Sequence, residues 1–407
     1  MMLAVLLVAY IFNYIDRQIV GILAVPIKSD LGLSDTQVGL MGGLAFSLFY
    51  SGLGIPIARL ADRRDRVTII AISLALWSLC TALCGTVQNF THLFLARMGV
   101  GVGEAGGVAP SYALIADSFP QEKRSRALAI FLFGIPIGSA LGILFGGWIA
   151  ANIDWRSAFL IVGLAGLPVA PLLRFALRDP RSVARGNEPE IVSFREVMRL
   201  LARKPSFWLM SVGNGSGAIA GYGLLFWLPS YFRRSLQLEL FDISLFYGAI
   251  VLFGGMLGIW GSGWLGDRLG SRRPAAYALV PAVAVFLAAP LNAVGLFAPS
   301  MPIAFILFLL PNGLGLSWAG PVTAAIQQIV PANMRATASA GFLFFTNLLG
   351  LGLGTLLIGF LSDRFNASLG EEALRYAILC VLVFYLVSGS LYAIASRHLE
   401  RDWHRED

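Results

Sequence analysis

Twelve long apolar runs follow one another along this chain, separated by short polar connections. A helix that crosses the hydrocarbon core of a bilayer needs about 20 residues, and every run is long enough to form one. The pattern predicts an all-α membrane protein with twelve transmembrane helices. The runs cover residues 2–25, 36–58, 67–88, 91–118, 124–151, 155–177, 206–232, 241–265, 273–295, 301–329, 334–362 and 371–396.

The composition excludes a soluble globular enzyme. Hydrophobic residues make up 57% of the 407 positions and charged residues only 13%, whereas about 25% of the residues in a soluble domain are charged.

The formal net charge of +7 could indicate a nucleic-acid binder, so the placement of the 30 Lys and Arg residues is informative. With both termini in the cytoplasm, 22 of them fall on the inner side and six on the outer side.

This asymmetry follows the positive-inside rule. The basic excess therefore predicts topology, and we expect no nucleic-acid partner. We expect an integral, multi-pass protein with both termini cytoplasmic, located in a bacterial inner membrane.

The only long polar stretch, residues 178–204, divides the runs six plus six. Ser193 and Glu196 within it have the spacing of a capping box, which predicts a short amphipathic helix on the inner membrane surface. The expected domains are an N-terminal six-helix bundle (1–177), a cytoplasmic linker with this helix (178–205), a C-terminal six-helix bundle (206–397) and a cytoplasmic tail (398–407).

A basic motif occurs once in each half. After the second run the chain reads ARLADRRDR (58–66), and 205 residues later it reads GWLGDRLGSRR (263–273). The motif resembles the signature of the major facilitator superfamily, although Ala58 and Asp65 stand where the family prefers glycine. The resemblance implies two pseudo-symmetric bundles that rock against each other, and a cytoplasmic latch of charge-assisted hydrogen bonds. The candidate gating residues are Asp62, Arg63, Asp267, Arg268 and Arg272.

A narrower resemblance comes from NYIDRQ (13–18) in the first run and from RMGVGVGEAGGVAP (97–110) followed by IADSFP in the fourth. These segments are similar to the spinster-like branch of that superfamily, which is associated with lysophospholipid and sphingolipid transport. Related organic-anion carriers also have an Asp-Arg pair in the first helix.

Two glycine patterns allow other interpretations. Gly101, Gly103 and Gly106 form a GxGxxG sequence, but no strand precedes it, and small residues in a membrane-spanning run permit close helix packing instead. The glycines of the fifth run resemble the antiporter motif of the family, and simple helix packing explains them equally well. These glycines are Gly138, Gly142, Gly146 and Gly147.

Four ionisable residues lie deep in apolar runs of the first half: Asp16, Arg17, Arg97 and Glu104. A charge at the bilayer centre costs about 2.5–3.5 kcal/mol by insertion scales, so it is retained mainly for a partner or a function. We predict that Asp16 and Glu104 carry protons, with Arg97 as their charge partner. Arg17 is either a second partner or the contact for an anionic head group. The alternative is a static buried ion pair.

The second half has uncharged polar and aromatic side chains in its runs. They predict a mostly apolar cavity wall, which suits an amphipathic, lipid-like substrate, although each could instead be a packing residue or an interface anchor. A proton-coupled carrier of small organic anions is the alternative, because Arg17 and Arg97 could bind a carboxylate. The candidate cavity residues are Arg17, Glu104, Asn214, Tyr222, Trp227, Asn312, Trp318 and Asn347.

An intramembrane enzyme and a receptor are the remaining alternatives. His92, His398 and His404 lie at or beyond the ends of the runs, so no buried histidine base is available, and the chain has no HExxH sequence. We therefore expect no catalytic residue, cofactor or metal site. The sequence predicts a proton-coupled secondary transporter that works by alternating access and is a monomer; its partners are a small-molecule substrate, protons and membrane lipids.

Overall fold

A computed structural model describes residues 1–120, 127, 128, 130–179, 194–331 and 334–403, except for the side chains of residues 55, 62, 194 and 336. Every predicted run contains helix within these ranges. The helices of the first six runs are Met2–Ile22 with Ala24–Leu31, Asp35–Gly39 continuing through the π-helical turn Leu40–Leu44 into Ala45–Arg63, Arg66–Cys84, Phe90–Glu104 with Val108–Ser118, Gly134–Asn152, and Trp155–Gly166 with Val169–Ala176.

The helices of the last six runs are Pro205–Ser235, Leu240–Gly270, Ala276–Gly295, Met301–Gly315 with Pro321–Gln328, Arg335–Leu369, and Ala373–Val381 with Val383–Asp402. The linker contains the helix Phe194–Ala202. Val197 and Leu201 of this helix are buried while Arg195 and Arg199 are exposed, so the helix is amphipathic as predicted. Ser193 of the predicted capping box lies outside the described residues.

Polar side chains set several helix starts. Ser34 forms a capping box with Gln37 at the start of the second run. Asp65 accepts hydrogen bonds from the backbone amides of Val67 and Thr68, and so caps the third-run helix. A side-chain oxygen at this position satisfies amides that have no partner inside the helix. Asp65 thus has a local structural role at the place where the family prefers glycine.

The fourth and tenth runs are each interrupted. The fourth breaks between Glu104 and Val108, at Gly106 and Gly107, and the tenth breaks before Pro321. Glycine and proline both favour such interruptions. By length and composition, eight helical stretches in the described chain could cross a membrane. The eleventh and twelfth runs are counted together as one of these stretches. The expected number of twelve crossings stays a prediction.

The chain packs into two compact units. The first contains Met1–Gly186, Leu225–Leu252 and Thr355–Leu374, and the second contains Asn187–Leu224, Phe253–Gly354 and Arg375–Asp407. Parts of the seventh, eighth, eleventh and twelfth runs thus belong to the first unit. The expected division into domains at the linker stays a prediction.

Glycines bring helices together within the first unit. A Cβ on Gly138 would lie 2.5 Å from the Ile11 carbonyl oxygen, and one on Gly142 would lie 2.7 Å from that of Ile15. A Cβ on Gly101 would meet the Phe46 carbonyl oxygen at 2.5 Å. Real Cβ atoms do not approach so closely, so these glycines serve helix packing, in agreement with the packing interpretation of the GxGxxG sequence.

Candidate functional site

A cluster of polar side chains lies inside the first unit. Asp16 and Arg97 are each 1% exposed and Glu104 is 0% exposed. Asn13, one turn before Asp16 on the same helix, is also buried. The structure therefore brings together the four ionisable residues that the sequence singled out, because Arg17 and Arg97 each contact the opposite helix through their side chains.

Arg17 is the ion-pair partner of Glu104. Its Nε atom donates to Glu104 Oε2 at 2.7 Å, and both side chains are almost fully buried. The sequence offered Arg97 as the partner of both carboxylates and Arg17 as an optional second one. The hydrogen-bonded ion pair of Glu104 is the one with Arg17, the second-partner alternative, whereas Arg97 acts on Glu104 through its charge.

Arg97 contacts Asp16 through the main chain. Its Nη1 atom donates to the Asp16 carbonyl oxygen at 3.5 Å, and the Asp16 carboxyl interacts electrostatically with Arg97 and Glu104. Thr81 and Trp77 are neighbours of this carboxyl. Among the described residues, Asp16 Oδ1 and Glu104 Oε1 have no hydrogen-bond partner.

Aromatic rings surround the Arg17 guanidinium. Its central carbon lies 5.1 Å from the Tyr14 ring, 4.9 Å from Phe46 and 4.6 Å from Tyr50. A cation over the face of an aromatic ring is stabilised by the ring quadrupole. The three aromatic rings and the Glu104 carboxylate thus all contact the Arg17 guanidinium.

This arrangement can respond to protons. Protonation of Glu104 would remove the negative charge that pairs with Arg17, and protonation of Asp16 would remove one that Arg97 faces. Each event changes the charge balance inside a low-dielectric site, where such interactions are strong.

Two of the predicted cavity residues are buried packing groups. Asn214 donates to Thr346 Oγ1 at 2.9 Å and accepts from the Tyr392 hydroxyl at 2.7 Å. The Trp227 indole donates to the Thr355 carbonyl oxygen at 2.8 Å. These contacts favour the packing interpretation of the two residues, because their main polar atoms already have partners.

The other four second-half candidates are only partly buried. Tyr222, Asn312, Trp318 and Asn347 all belong to the second unit and are of intermediate exposure. Trp318 packs against Phe342, with ring centroids 5.9 Å apart. These four remain candidates for substrate contact.

The candidate gating residues lie at helix ends. Arg63, Asp267, Arg268 and Arg272 are exposed, and the Asp62 side chain lies outside the described residues. Within the described chain no ion pair involves Asp267. The latch therefore stays a prediction.

Sequence reasoning missed an ion pair formed by Arg66, the last residue of the first copy of the motif. Arg66 is buried and its guanidinium pairs with Asp117 at the end of the fourth run. Its backbone amide donates to Asp179 Oδ2 at 3.0 Å. Asp117 in the IADSFP segment was the sequence feature that could have indicated a partner for a basic residue of the motif.

Asp35 is the centre of a second cluster that the sequence did not reveal. Arg234 donates to both of its carboxylate oxygens at 2.7 Å, Lys28 donates at 2.6 Å and Ser362 at 2.7 Å. Asp363 accepts from the backbone amides of Asp35 and Thr36 and from the Thr36 hydroxyl. All of these residues belong to the first unit.

Comparisons with known proteins agree with this architecture. The sequence profile of the Major Facilitator Superfamily matches residues 6–351. The chain is 34% identical over 391 residues to an MFS-type efflux pump of Mycolicibacterium smegmatis, covering 96% of this chain and 91% of that one. It is 29% identical to Protein spinster homolog 1 of Xenopus tropicalis, covering 98% of this chain and 80% of that one.

Solved structures give the same result. A bacterial homolog of the human lysosomal transporter spinster, in an inward-facing and unoccupied conformation, superposes with a TM-score of 0.88 at 29% identity, covering 100% of this chain and 98% of that one. A D-xylose-proton symporter superposes with a TM-score of 0.68 at 15% identity, covering 99% of this chain and 97% of that one. The second likeness shows the fold alone.

Proposed function

This chain belongs to the major facilitator superfamily, as a multi-pass membrane transporter of the spinster type, and we propose that it is a proton-coupled secondary transporter. It moves an amphipathic, lipid-like substrate by alternating access. Asp16 and Glu104 are the proton carriers, and Arg17 and Arg97 are their charge partners.

The observation that carries this proposal is the charge arrangement inside the first unit. Two carboxyl groups are buried together, yet only Glu104 has an ion-pair partner at hydrogen-bond distance. Static ion pairs need good geometry and further hydrogen bonds to offset the loss of hydration. Asp16 lacks that geometry, which favours a group that gains and loses a proton over one that only holds helices together.

The character of the second unit supports a lipid-like substrate. Its membrane segments 205–224, 276–295 and 301–328 contain no Asp, Glu, Lys or Arg, and the four candidate contacts there are aromatic or amide side chains. A small dianion needs cations around it, whereas an acyl chain needs apolar surface. The alternative substrate, a small organic anion, has Arg17 and Arg97 in its favour.

We expect flux of a fluorescent lysolipid into proteoliposomes to depend on an imposed pH gradient. Unlabelled lysolipid should compete with it, and a small carboxylate at the same concentration should not. Asn312→Asp should impair this transport because it places a charge on an apolar wall, while Asp242→Asn, an exposed change on the same half of the chain, should have no effect. Competition by the carboxylate alone would favour the organic-anion carrier.

The latch proposal makes a separate prediction. Asp267→Asn removes a negative charge from the second motif, so it should shift the protein towards the state open to the inside. Because Asp267 is exposed, the expected shift in populations is about fivefold or less. Spin-label distances across the cytoplasmic side measure it, and Glu400→Gln, an exposed acid in the tail, is the control. Unchanged distances in Asp267→Asn would remove the latch assignment.

Three further properties belong to the proposal. The positive-inside pattern supports cytoplasmic termini, and the bacterial spinster homolog supports a bacterial inner membrane. We propose that the transporter acts as a monomer.

A further inference from the structure

The start of the seventh-run helix meets the end of the twelfth-run helix inside the second unit. The seventh-run helix begins at Pro205 and the twelfth-run helix ends at Asp402. Asp402 is 5% exposed, and Ser206 in the first turn of the seventh-run helix is 0% exposed. Two helix ends with polar groups are thus buried against each other.

Asp402 supplies a cap that the residues beside the seventh-run helix do not provide. Lys204 precedes the helix, and its side chain has only donors, so it cannot accept from the first-turn amides. Pro205 has no N–H group. Asp402 Oδ2 accepts from the Ser206 amide at 3.0 Å and from the Ser206 hydroxyl at 2.8 Å. Aspartate is a preferred capping residue, and its charge is favourable at a helix N-terminus.

The twelfth-run helix is capped in return. The last carbonyl groups of a helix have no partner within it, and the Asp402 carbonyl oxygen accepts from Lys204 Nζ at 2.5 Å. Arg401 Nε lies 3.2 Å from the other carboxylate oxygen of Asp402, Oδ1. Each helix thus satisfies polar groups of the other, and these bonds fix the end of the linker to the end of the twelfth-run helix.

The next residue, Trp403, reaches the second copy of the basic motif. The backbone becomes extended at Trp403, and its ring stacks on Tyr277 with the centroids 5.7 Å apart. A Cβ on Gly270, a glycine of the motif, would lie 2.5 Å from the Tyr277 ring. Asp267 of the motif interacts electrostatically with Tyr277. The Tyr277 ring therefore connects Trp403 to the motif.

We propose that Asp402 and Trp403 are positioning residues of the cytoplasmic gate, which hold the second motif in a fixed relation to the linker. This inference rests on the latch proposed above, in which Asp267 acts. The contacts form a continuous path of packed and hydrogen-bonded side chains, which is the kind of path that carries coupling between distant elements. We define the tail clasp as Lys204, Ser206, Tyr277, Asp402 and Trp403.

Hydrogen exchange at the Ser206 amide, measured by mass spectrometry on the full chain in nanodiscs, tests the cap. Asp402→Ala removes the acceptor, so exchange at Ser206 should become about fivefold faster, as expected for the loss of a helix cap. Asp402→Asn keeps an acceptor oxygen and should stay within about twofold of wild type. Glu400→Ala changes an exposed acid on the same helix, and it should exchange at the wild-type rate.

Spin-label distances across the cytoplasmic side test the positioning role. Trp403→Ala removes the stack on Tyr277, so it should shift the protein towards the state open to the inside by about fivefold or less, as expected for Asp267→Asn. Trp403→Phe keeps an aromatic ring and should restore the wild-type distances. The double variant Trp403→Ala, Asp267→Asn should shift no further than Asp267→Asn alone, because both changes act through the same contact.

The non-additivity distinguishes positioning from a general structural role, since a residue that only stabilises the fold would add its own shift to that of Asp267→Asn. If Trp403→Ala does not fold, Tyr277→Leu removes the same stack and takes its place in these measurements. All of them are made at one pH, so proton coupling does not enter the result.

The outcomes separate the tail clasp from the latch. Wild-type exchange at Ser206 in Asp402→Ala overturns the clasp. Wild-type distances in Trp403→Ala, or additive shifts in the double variant, overturn the positioning role and leave the latch standing if Asp267→Asn shifts the distances. Wild-type distances in Asp267→Asn itself, with fast exchange in Asp402→Ala, refute the latch and with it the positioning role.

Discussion

The double variant Asp16→Asn, Glu104→Gln is expected to lose the response of the transporter to pH while it still folds. Asn and Gln imitate the protonated acids at almost constant volume, so neither position can change charge. The measurement is the pH dependence of spin-label distances, together with transport driven by an imposed pH gradient. Retained pH dependence of the distances in this variant would refute the switch.

The single variants should differ in stability for a structural reason. Glu104→Gln breaks the buried ion pair and leaves Arg17 with its aromatic rings alone, so we expect it to lose about 3 kcal/mol of unfolding free energy. Asp16→Asn leaves the bond from Arg97 to the main-chain carbonyl in place, so its expected loss is below about 1 kcal/mol. Thermal melting of both variants measures this difference.

Glu239→Gln is the matched control, because this acid pairs with Arg233 at 3.0 Å but is 76% exposed. It should change neither the pH response nor the melting temperature. If Asp16 and Glu104 were purely architectural, the double variant would lose stability but would still respond to pH as wild type does.

Asp35→Asn is expected to destabilise the protein by about 3 kcal/mol, because the neutral amide leaves two cations without their shared carboxylate. Arg234 and Lys28 both donate to Asp35, so an amide group there also places a donor against donors. Differential scanning fluorimetry of the purified protein measures the loss.

Asp30→Asn is the control for this prediction. Asp30 pairs with Arg156 at 2.7 Å, but both side chains are more than one-third exposed, so the expected loss is below about 1 kcal/mol. Equal destabilisation by the two substitutions would show that the buried Asp35 cluster contributes no more than a surface pair.

The sequence alone determined the helical class, the approximate extent of the helices and the residues of the charged site. A run of about 20 apolar residues can satisfy its backbone hydrogen bonds in a bilayer only as a helix, so local composition was sufficient to predict the helices. Asp16, Arg17, Arg97 and Glu104 were identifiable because ionisable residues are rare in such runs.

Only the tertiary structure decided which charges pair and which polar residues are packing groups. The pairing of Arg17 with Glu104 joins residues 87 positions apart, and that of Arg234 with Asp35 joins residues 199 apart. Helix periodicity gives the face on which a residue lies but not the neighbour that this face meets. For the same reason Asn214 and Trp227 looked like cavity residues until their hydrogen bonds were located.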